Sequence, residues 1–327
     1  MKRRDFIAIL GGAMAWPLAA RAESQGMRRI ALFPLGAEGD PEAHTYVRAL
    51  RETLERLGWI DGQNIRIDIR WESGDAGRVQ ADVAGALSLA PDVIVSGGTV
   101  YTRELQQRTK TIPIVFVNVG DPLASGLVHS LAQPGGNVTG FVAVESSFGG
   151  KWMELLKEIA PRVNAVLVLV DPQNPTWKFH VPAIEAAARS FVVQVTAAHV
   201  RNPAEIESTI DGFAGKPNAG MIVLASPFAQ AHRELTIALA AKHRLPAVYG
   251  ARLYVASGGL LSYSSDWLDQ YRQAASYVDR ILKGARPGDL PVQQPVKFEL
   301  VINLKTANVL GIEVPLFLQQ RADEVIE

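Results

Sequence analysis

Short apolar runs alternate with amphipathic segments along most of the chain, and this alternation limits the fold more than any other feature. Residues 29–35, 92–96 and 114–117 are short and rich in branched apolar side chains, as buried strands are. Residues 42–57 instead place apolar side chains at helical spacing. Strands that alternate with helices of about 10 to 15 residues indicate parallel sheets covered by helices on both faces.

The alternation restarts in the second half of the chain. Strand-like runs cover residues 165–170, 192–198, 220–225 and 247–249, and helical patterns separate them, including one continuous pattern over 228–243. A chain of 327 residues favours two domains over one. We therefore expect an α/β fold of two doubly wound parallel-sheet lobes. Periodicity does not assign the later elements, such as a helix over 265–283 capped by Ser265, to either lobe.

Residues 1–22 have the pattern of a cleavable export signal. A basic start with Arg3 and Arg4 precedes an apolar run of about ten residues, and a small-x-small sequence ends at Ala22. The arginine pair favours the twin-arginine route, with cleavage after Ala22. A retained membrane anchor is the alternative, but residues 6–20 are short for a span of about 20 residues. We expect a protein of the periplasm.

Charge and cysteine content argue against several classes of protein. The 33 basic and 33 acidic residues balance, so no basic excess indicates nucleic-acid binding. The chain has no cysteine, which excludes disulfides and thiol catalysis, and its six histidines lack the spacing of a metal site. We expect no metal, no cofactor and no enzymatic activity. A periplasmic enzyme that uses carboxylates in a cleft is the least favoured alternative.

The loops that follow the predicted strands are the candidate ligand site, because open parallel sheets bind ligands at the carboxyl ends of their strands. The glycine-rich loop at 96–99 precedes a helix, whose free N–H groups attract anions. A tight strand-to-helix turn explains this loop equally well. Asp121 and Asp171 could each hold an ammonium group, but each precedes a proline and could instead stabilise its own turn.

Several longer motifs resemble those of one known family. They lie at residues 58–64, 121–128, 130–140, 241–247, 258–263 and 321–326. Together they resemble the ABC transporter substrate-binding proteins related to tryptophan- and other amino-acid-binding proteins, over nearly the whole chain beyond residue 22. The resemblance implies a type I periplasmic-binding-protein fold with three crossovers between lobes, near residues 140–145, 259–264 and 291–295. It implies an N-terminal lobe of residues 27–143 plus about 264–291, and a C-terminal lobe of 144–263 plus about 292–327.

The same resemblance implies ligand contacts from strand-end loops of both lobes. Carried over by position, these residues are Gly36, Ala37, Glu38, Ser96, Gly97, Gly98, Thr99, Asp121, Asp171, Asn174, Ser226, Phe228 and Tyr263. Many relatives carry an acidic residue where this chain has Ser226 and Pro227, which argues against ammonium binding at that position. The long motif at 134–140 is interpreted as structural, since its glycines permit positive φ in a turn.

The function implied is capture of a small polar or aromatic, amino-acid-like molecule in the cleft between the lobes. The protein would act as a monomer and deliver this molecule to an ABC permease in the inner membrane. The alternative is a ligand-sensing module that docks on a membrane receptor.

Overall fold

The computed structural model describes residues 26–71, 76–143 and 148–327. The predicted export signal, and part of the crossover expected near residues 140–145, lie outside the described residues.

The first lobe is built on a sheet of five parallel strands in the order β2-β1-β3-β4-β5. The strands are β1 (Arg28–Phe33), β2 (Ile65–Ile69), β3 (Val93–Gly97), β4 (Ile114–Val119) and β5 (Val138–Val142). Three helices connect them: α1 (Pro41–Arg56), α2 (Ala76–Leu87) and α3 (Thr99–Arg108). The strand order reverses between β1 and β3, the position at which open α/β sheets form a ligand crevice.

The second lobe is built on a seven-stranded sheet in the order β12-β11-β10-β9-β8-β6-β7. Its strands are β6 (Ala165–Val170), β7 (Gln194–His199), β8 (Ala219–Val223), β9 (Ala247–Tyr249), β10 (Leu261–Ser265), β11 (Phe298–Asn303) and β12 (Glu324–Ile326). The later helices are α4 (Phe148–Ile159), α5 (Trp177–Ser190), α6 (Pro203–Ala214), α7 (Pro227–Ala231), α8 (Arg233–Lys242), α9 (Arg252–Ala256), α10 (Trp267–Leu282), α11 (Leu304–Leu310) and α12 (Leu316–Arg321). Only the β10–β11 pairing is antiparallel among the strand pairs described. The two doubly wound sheets confirm the predicted fold class.

Helix α10 follows a strand of the second sheet but packs on the first lobe. It lies against α1 and β4. Near its carboxyl end, Asp279 accepts a hydrogen bond of 2.8 Å from the indole Nε1 of Trp59. Near its start, the Tyr271 hydroxyl accepts a bond of 2.9 Å from the backbone N–H of Leu35. The chain therefore crosses between the lobes immediately after β10.

Two helix boundaries differ from those expected from periodicity. Ser265 was expected to cap α10, but it is the last residue of β10, and Asp266 caps the helix by accepting a 2.9 Å bond from the N–H of Asp269. The single helix expected over 228–243 is two helices, α7 and α8, separated at His232 with φ −109° and ψ 22°. Apolar spacing is the same on both sides of such a break, so the pattern does not reveal it.

The motif at 134–140 is a turn followed by a strand. Gly135 and Gly136 have φ of 66° and 75°, which confirms that positive φ is required there. Gly140 lies inside β5, where an added Cβ would overlap the backbone of Phe116 in β4. These glycines therefore serve the turn and the close strand pairing.

Candidate functional site

The carboxyl ends of the two sheets face one cavity of about 50 Å³. The first lobe contributes Leu35, Gly98, Thr99, Asn118, Gly120 and Ala143. The second lobe contributes Trp152, Asn174, Thr176, His180, Ala225, Ser226, Pro227, Gln230 and Gly250, and Trp267 lies at the crossover into α10. A single water needs about 10–15 Å³, so the cavity is narrow and the lobes lie close together around it.

The glycine-rich loop places two of its four residues at the cavity. Gly98, with φ of 72°, precedes α3, and Thr99 is the first residue of that helix. Both residues line the cavity. Because glycine has no side chain, no side-chain hydrogen bond from the N-cap residue caps the start of α3. Gly97 lies against Leu35, where an added Cβ would be 2.9 Å from the Leu35 backbone N. Ser96 is buried and accepts a 3.0 Å bond from the Thr102 hydroxyl.

Asn174 and Ser226 line the cavity from the second lobe, and hydrogen bonds to the backbone hold both side chains. Asn174 Nδ2 donates to the carbonyl of Ala225 at 3.1 Å. Ser226 Oγ accepts from the N–H of Ala229 at 3.0 Å and so caps α7. The loops after β6 and β8 are therefore tied together at the cavity wall.

The two aspartates predicted at strand ends are bonded within their own turns. Asp121 Oδ1 accepts 2.9 Å bonds from the N–H groups of Leu123 and Ala124. Asp171 Oδ1 accepts a 2.9 Å bond from the N–H of Gln173, and burial raises the pKa of Asp171. Neither aspartate is among the lining residues. This geometry is the one expected if each aspartate stabilises its own turn.

The remaining predicted residues lie outside the cavity. Gly36, Ala37 and Glu38 line a second, wider pocket of about 390 Å³, which adjoins the cavity through Pro227 and Gln230. Phe228 packs edge-on against His232, with ring centres 4.7 Å apart. Tyr263 packs against Phe148 and Phe298.

The cavity residues that were not predicted from the sequence include Asn118, Trp152, His180, Gln230 and Trp267. Four of them carry buried polar atoms that have no hydrogen-bond partner within the described part of the chain: Asn118 Oδ1, His180 Nδ1, Gln230 Oε1 and Trp267 Nε1. Leaving a buried polar atom unbonded costs about 1–3 kcal/mol. These four atoms are available to hydrogen-bond with whatever occupies the cavity. The unusual positive φ of Asn118, 55°, is visible only in the structure.

Aromatic side chains form much of the cavity wall. Trp152 is fixed by a 2.7 Å hydrogen bond from its Nε1 to the carbonyl of Tyr263, and its ring meets the His180 ring edge-on at 5.1 Å. Burial lowers the pKa of His180 to about 4, so its imidazole is neutral at pH 7. The wall therefore offers flat apolar surface and uncharged hydrogen-bonding atoms.

Two ion pairs join the lobes beside the cavity. Asp40, at the start of α1, lies 3.2 Å from Nη2 of Arg233 in α8, and both side chains are largely buried. Glu42 Oε1 lies 3.2 Å from Nε of Arg252 in α9. Burial raises the pKa of Glu42, and it raises the pKa of the neighbouring Glu299 to about 7. These pairs favour the arrangement in which the lobes meet.

No cluster of three or more possible metal-ligating side chains occurs within residues 26–71, 76–143 and 148–327. Over the same described residues, none of the helices has the length and hydropathy needed to cross a membrane.

Comparisons with known proteins agree with this architecture. A tyrosine-binding protein of Clostridioides difficile is 26% identical over 271 residues, which are 80% of this chain and 75% of that protein. A Vibrio cholerae conserved domain protein has a TM-score of 0.84 and 28% identity, covering 92% of this chain and 100% of the other. An ABC domain from Streptococcus pneumonia, solved in complex with L-Trp, has a TM-score of 0.83 and 25% identity over the same shares. The model of the family described as ABC transporter substrate binding protein matches residues 38–326. This chain belongs to that family.

Proposed function

We propose that this substrate-binding protein captures an aromatic, amino-acid-like molecule in the cavity between its lobes and delivers it to an ABC permease in the inner membrane. The observation that carries the proposal is the set of four unbonded buried polar atoms, Asn118 Oδ1, His180 Nδ1, Gln230 Oε1 and Trp267 Nε1, beside the Trp152 ring. A molecule that bonds to these atoms would touch both lobes at once. The names of two relatives, which refer to tyrosine and L-Trp, support an aromatic ligand.

Closure of the lobes is the step that a permease would recognise. A ligand that touches Asn118 in the first lobe and Gln230 in the second binds the closed arrangement better than an open one, and so shifts the population toward it. The Asp40–Arg233 pair adds to the stability of the closed arrangement. The same closed shape could instead be read by a membrane receptor, which is the second candidate function.

We also place the division between the lobes where the crossovers run, with residues 27–143 plus about 264–291 in the N-terminal lobe. The contacts of α10 with α1 support this division. Residues 144–263 plus about 292–327 form the C-terminal lobe, and the backbone bridge between Phe141 and Gln293 lies at its boundary. Of the predicted ligand-contact residues, we favour Gly98, Thr99, Asn174 and Ser226, because these four lie on the cavity wall.

The protein would act as a monomer in the periplasm, without enzymatic activity, after export by the twin-arginine route and cleavage after Ala22. The basis is the arginine pair at Arg3 and Arg4. Changing both to lysine should abolish export of a fused reporter by that route, whereas the same change at Arg28 and Arg29 should leave export intact. Export unaffected by the first change would remove the twin-arginine assignment.

The binding role is tested by thermal unfolding of residues 23–327 with L-tyrosine, L-tryptophan or L-lysine. The protein is first unfolded and refolded, so that a molecule retained from the cell is lost, and the discarded fraction is analysed by mass spectrometry. An aromatic ligand at 100 times its Kd should stabilise the fold by about 2.7 kcal/mol, and L-lysine should have no effect.

A matched pair of variants locates the binding. Gln230→Leu should weaken binding about tenfold, because it removes a bond worth about 0.5–1.5 kcal/mol. Gln194→Leu, at an exposed position on β7, should leave binding unchanged. If both variants bind as the original protein does, the cavity is not the site.

A further inference from the structure

We infer that closing the cleft takes up a proton, through a cluster of carboxyl groups from both lobes that share one arginine. This acidic cluster consists of Glu42, Glu299 and Glu324 around Arg252. The inference rests on the proposed function, because it concerns the closure that a ligand would drive, and it makes that closure depend on pH. The closed form should be favoured in acid and weakened above neutral pH.

The acidic cluster lies where α1 of the first lobe meets the second lobe. Nε of Arg252, the first residue of α9, lies 3.2 Å from Glu42 Oε1 in α1. Nη1 of the same arginine lies 2.7 Å from Glu324 Oε2 in β12. The side chains of Glu42 and Arg252 are only 17% and 25% exposed, so solvent screens their pair weakly. One guanidinium therefore pairs with carboxylates of both lobes, and its pair with Glu42 requires that the lobes meet.

Glu299 is the carboxyl group of the acidic cluster that takes up the proton. It is the second residue of β11, its side chain is half-buried, and it forms no ion pair within the described part of the chain. Burial raises the pKa of Glu299 to about 7, although the attraction of Arg252 opposes the rise. The charges of Asp266, Glu324 and Glu42 add to it. One guanidinium thus faces four carboxyl groups, and Glu299 is the one that stays protonated near neutral pH.

The first lobe contributes to this environment through α1. Burial and then the charge of Glu42 raise the pKa of Tyr46, and the charge of Glu299 acts on Tyr46 in the same direction. Burial also raises the pKa of Glu42, against the attraction of Arg252. Helix α1 therefore presents an acid and a phenol to Glu299, and neither supplies a positive charge. The other charged groups that face Glu299 are Arg252 from α9, Asp266 at the start of α10 and Glu324 from β12.

Opening of the cleft changes the surroundings of Glu299 in two ways. As α1 moves away, water reaches the carboxyl group and the like charge of Glu42 is removed. Arg252 also loses Glu42, so its guanidinium is shared between Glu299 and Glu324 alone. Both changes favour the ionised form of Glu299. Its pKa is therefore higher in the closed form, which is favoured at low pH and loses that advantage as pH rises through about 7.

Calorimetry counts the proton that closure takes up. L-tyrosine and L-tryptophan are titrated into the refolded chain of residues 23–327, in buffers that differ in ionisation enthalpy. Near pH 6.5, binding of either probe should take up roughly half a proton, and its Kd should rise about tenfold between pH 5.5 and pH 8. Glu299→Gln cannot ionise, so its Kd at pH 8 should match that of the original protein at pH 5.5, with no uptake. Glu207→Gln, at an exposed position on α6, should behave as the original protein does.

Small-angle scattering tests the acidic cluster without a ligand. The radius of gyration of the unliganded chain should increase between pH 5.5 and pH 8 as the lobes separate. Glu299→Gln should keep the smaller radius at both pH values, and Glu207→Gln should follow the original protein. A larger radius at pH 8 in all three proteins would show that other groups open the cleft, and would overturn the role of Glu299.

The two measurements separate this inference from the proposed function. If a probe binds and the proton uptake is the same in Glu299→Gln, the inference is wrong while the function stands. If neither probe binds but the radius changes with pH only when Glu299 can ionise, the inference stands and the aromatic ligand is wrong. If neither probe binds and the radius is the same at both pH values, the inference fails as well.

Discussion

Gly120 in the first lobe and Thr176 in the second meet so closely across the cavity that an added Cβ at Gly120 would collide with Cγ2 of Thr176. Gly120 is therefore a contact point between the lobes, and the absence of a side chain there permits the closed arrangement. Its φ lies outside the positive region, so alanine is allowed by the backbone and differs from glycine only in volume.

The first prediction follows from this contact. Gly120→Ala should act as a wedge that opens the cleft and weakens ligand binding at least about tenfold, which corresponds to about 1.4 kcal/mol against the closed state. The unliganded fold should keep its stability, because the methyl group can be accommodated when the lobes separate. Calorimetry and small-angle scattering measure the affinity and the opening. Gly212→Ala is the control, since a Cβ there meets no atom within 4 Å; a similar loss in both variants would contradict the wedge.

The second prediction concerns the ion pair between Asp40 and Arg233. Arg233→Ala would leave the carboxylate of Asp40, which is 3% exposed, buried without its partner when the lobes are closed. Breaking a buried pair in this way costs about 3–5 kcal/mol, and the lobes can avoid part of that cost by opening. We expect faster ligand dissociation, measured by stopped flow. Arg201→Ala removes an exposed arginine and should not change the rate; an unchanged rate in Arg233→Ala would remove the pair from the closing mechanism.

The third prediction concerns the link between α10 and the first lobe. Tyr271→Phe would leave the buried N–H of Leu35 without its hydroxyl acceptor and should lower the free energy of unfolding by about 1–3 kcal/mol. Chemical denaturation measures the change. Tyr46→Phe is the matched control, because the Tyr46 ring stacks on Tyr271 but its hydroxyl makes a long 3.5 Å contact with Glu42. Equal losses would mean that ring packing, and not the Leu35 bond, decides the effect.

The fourth prediction is a pH dependence at Glu299. Burial raises the pKa of this carboxyl from 4.5 to about 7, against the attraction of Arg252. Between these pH values the folded protein holds a proton that the unfolded chain has released, so the contribution of Glu299 to stability falls as pH rises from about 4.5 through 7. Glu299→Gln cannot ionise and should melt at a higher temperature than the original protein at pH 8. The difference should shrink to nothing near pH 4.5.

The pH dependence at Glu299 has a matched control. Glu207→Gln changes an exposed carboxyl on α6 and should melt as the original protein does at both pH values. If the advantage of Glu299→Gln is the same at pH 4.5 and at pH 8, ionisation of Glu299 is not its cause.

The fold class and part of the cavity could be predicted from the amino-acid sequence. Buried parallel strands need continuous apolar runs, and the runs at β3, β4, β6 and β8 identify themselves for that reason. Ligands bind at the carboxyl ends of such strands. The strand positions and the resemblance to a family therefore predicted the loops that contain Thr99, Asn174 and Ser226, and these loops line the cavity.

Which side chains line the cavity depends on contacts that form only when the chain is folded. His180 and Gln230 lie within helices, and Trp267 begins one, so their spacing is that of ordinary buried residues. Their polar atoms are exceptional because the meeting of two lobes leaves them buried without partners, and that depends on contacts between residues distant in the chain. The same holds for Asp121 and Asp171, whose carboxylates could serve a ligand or a turn until the backbone places the turn N–H groups beside them.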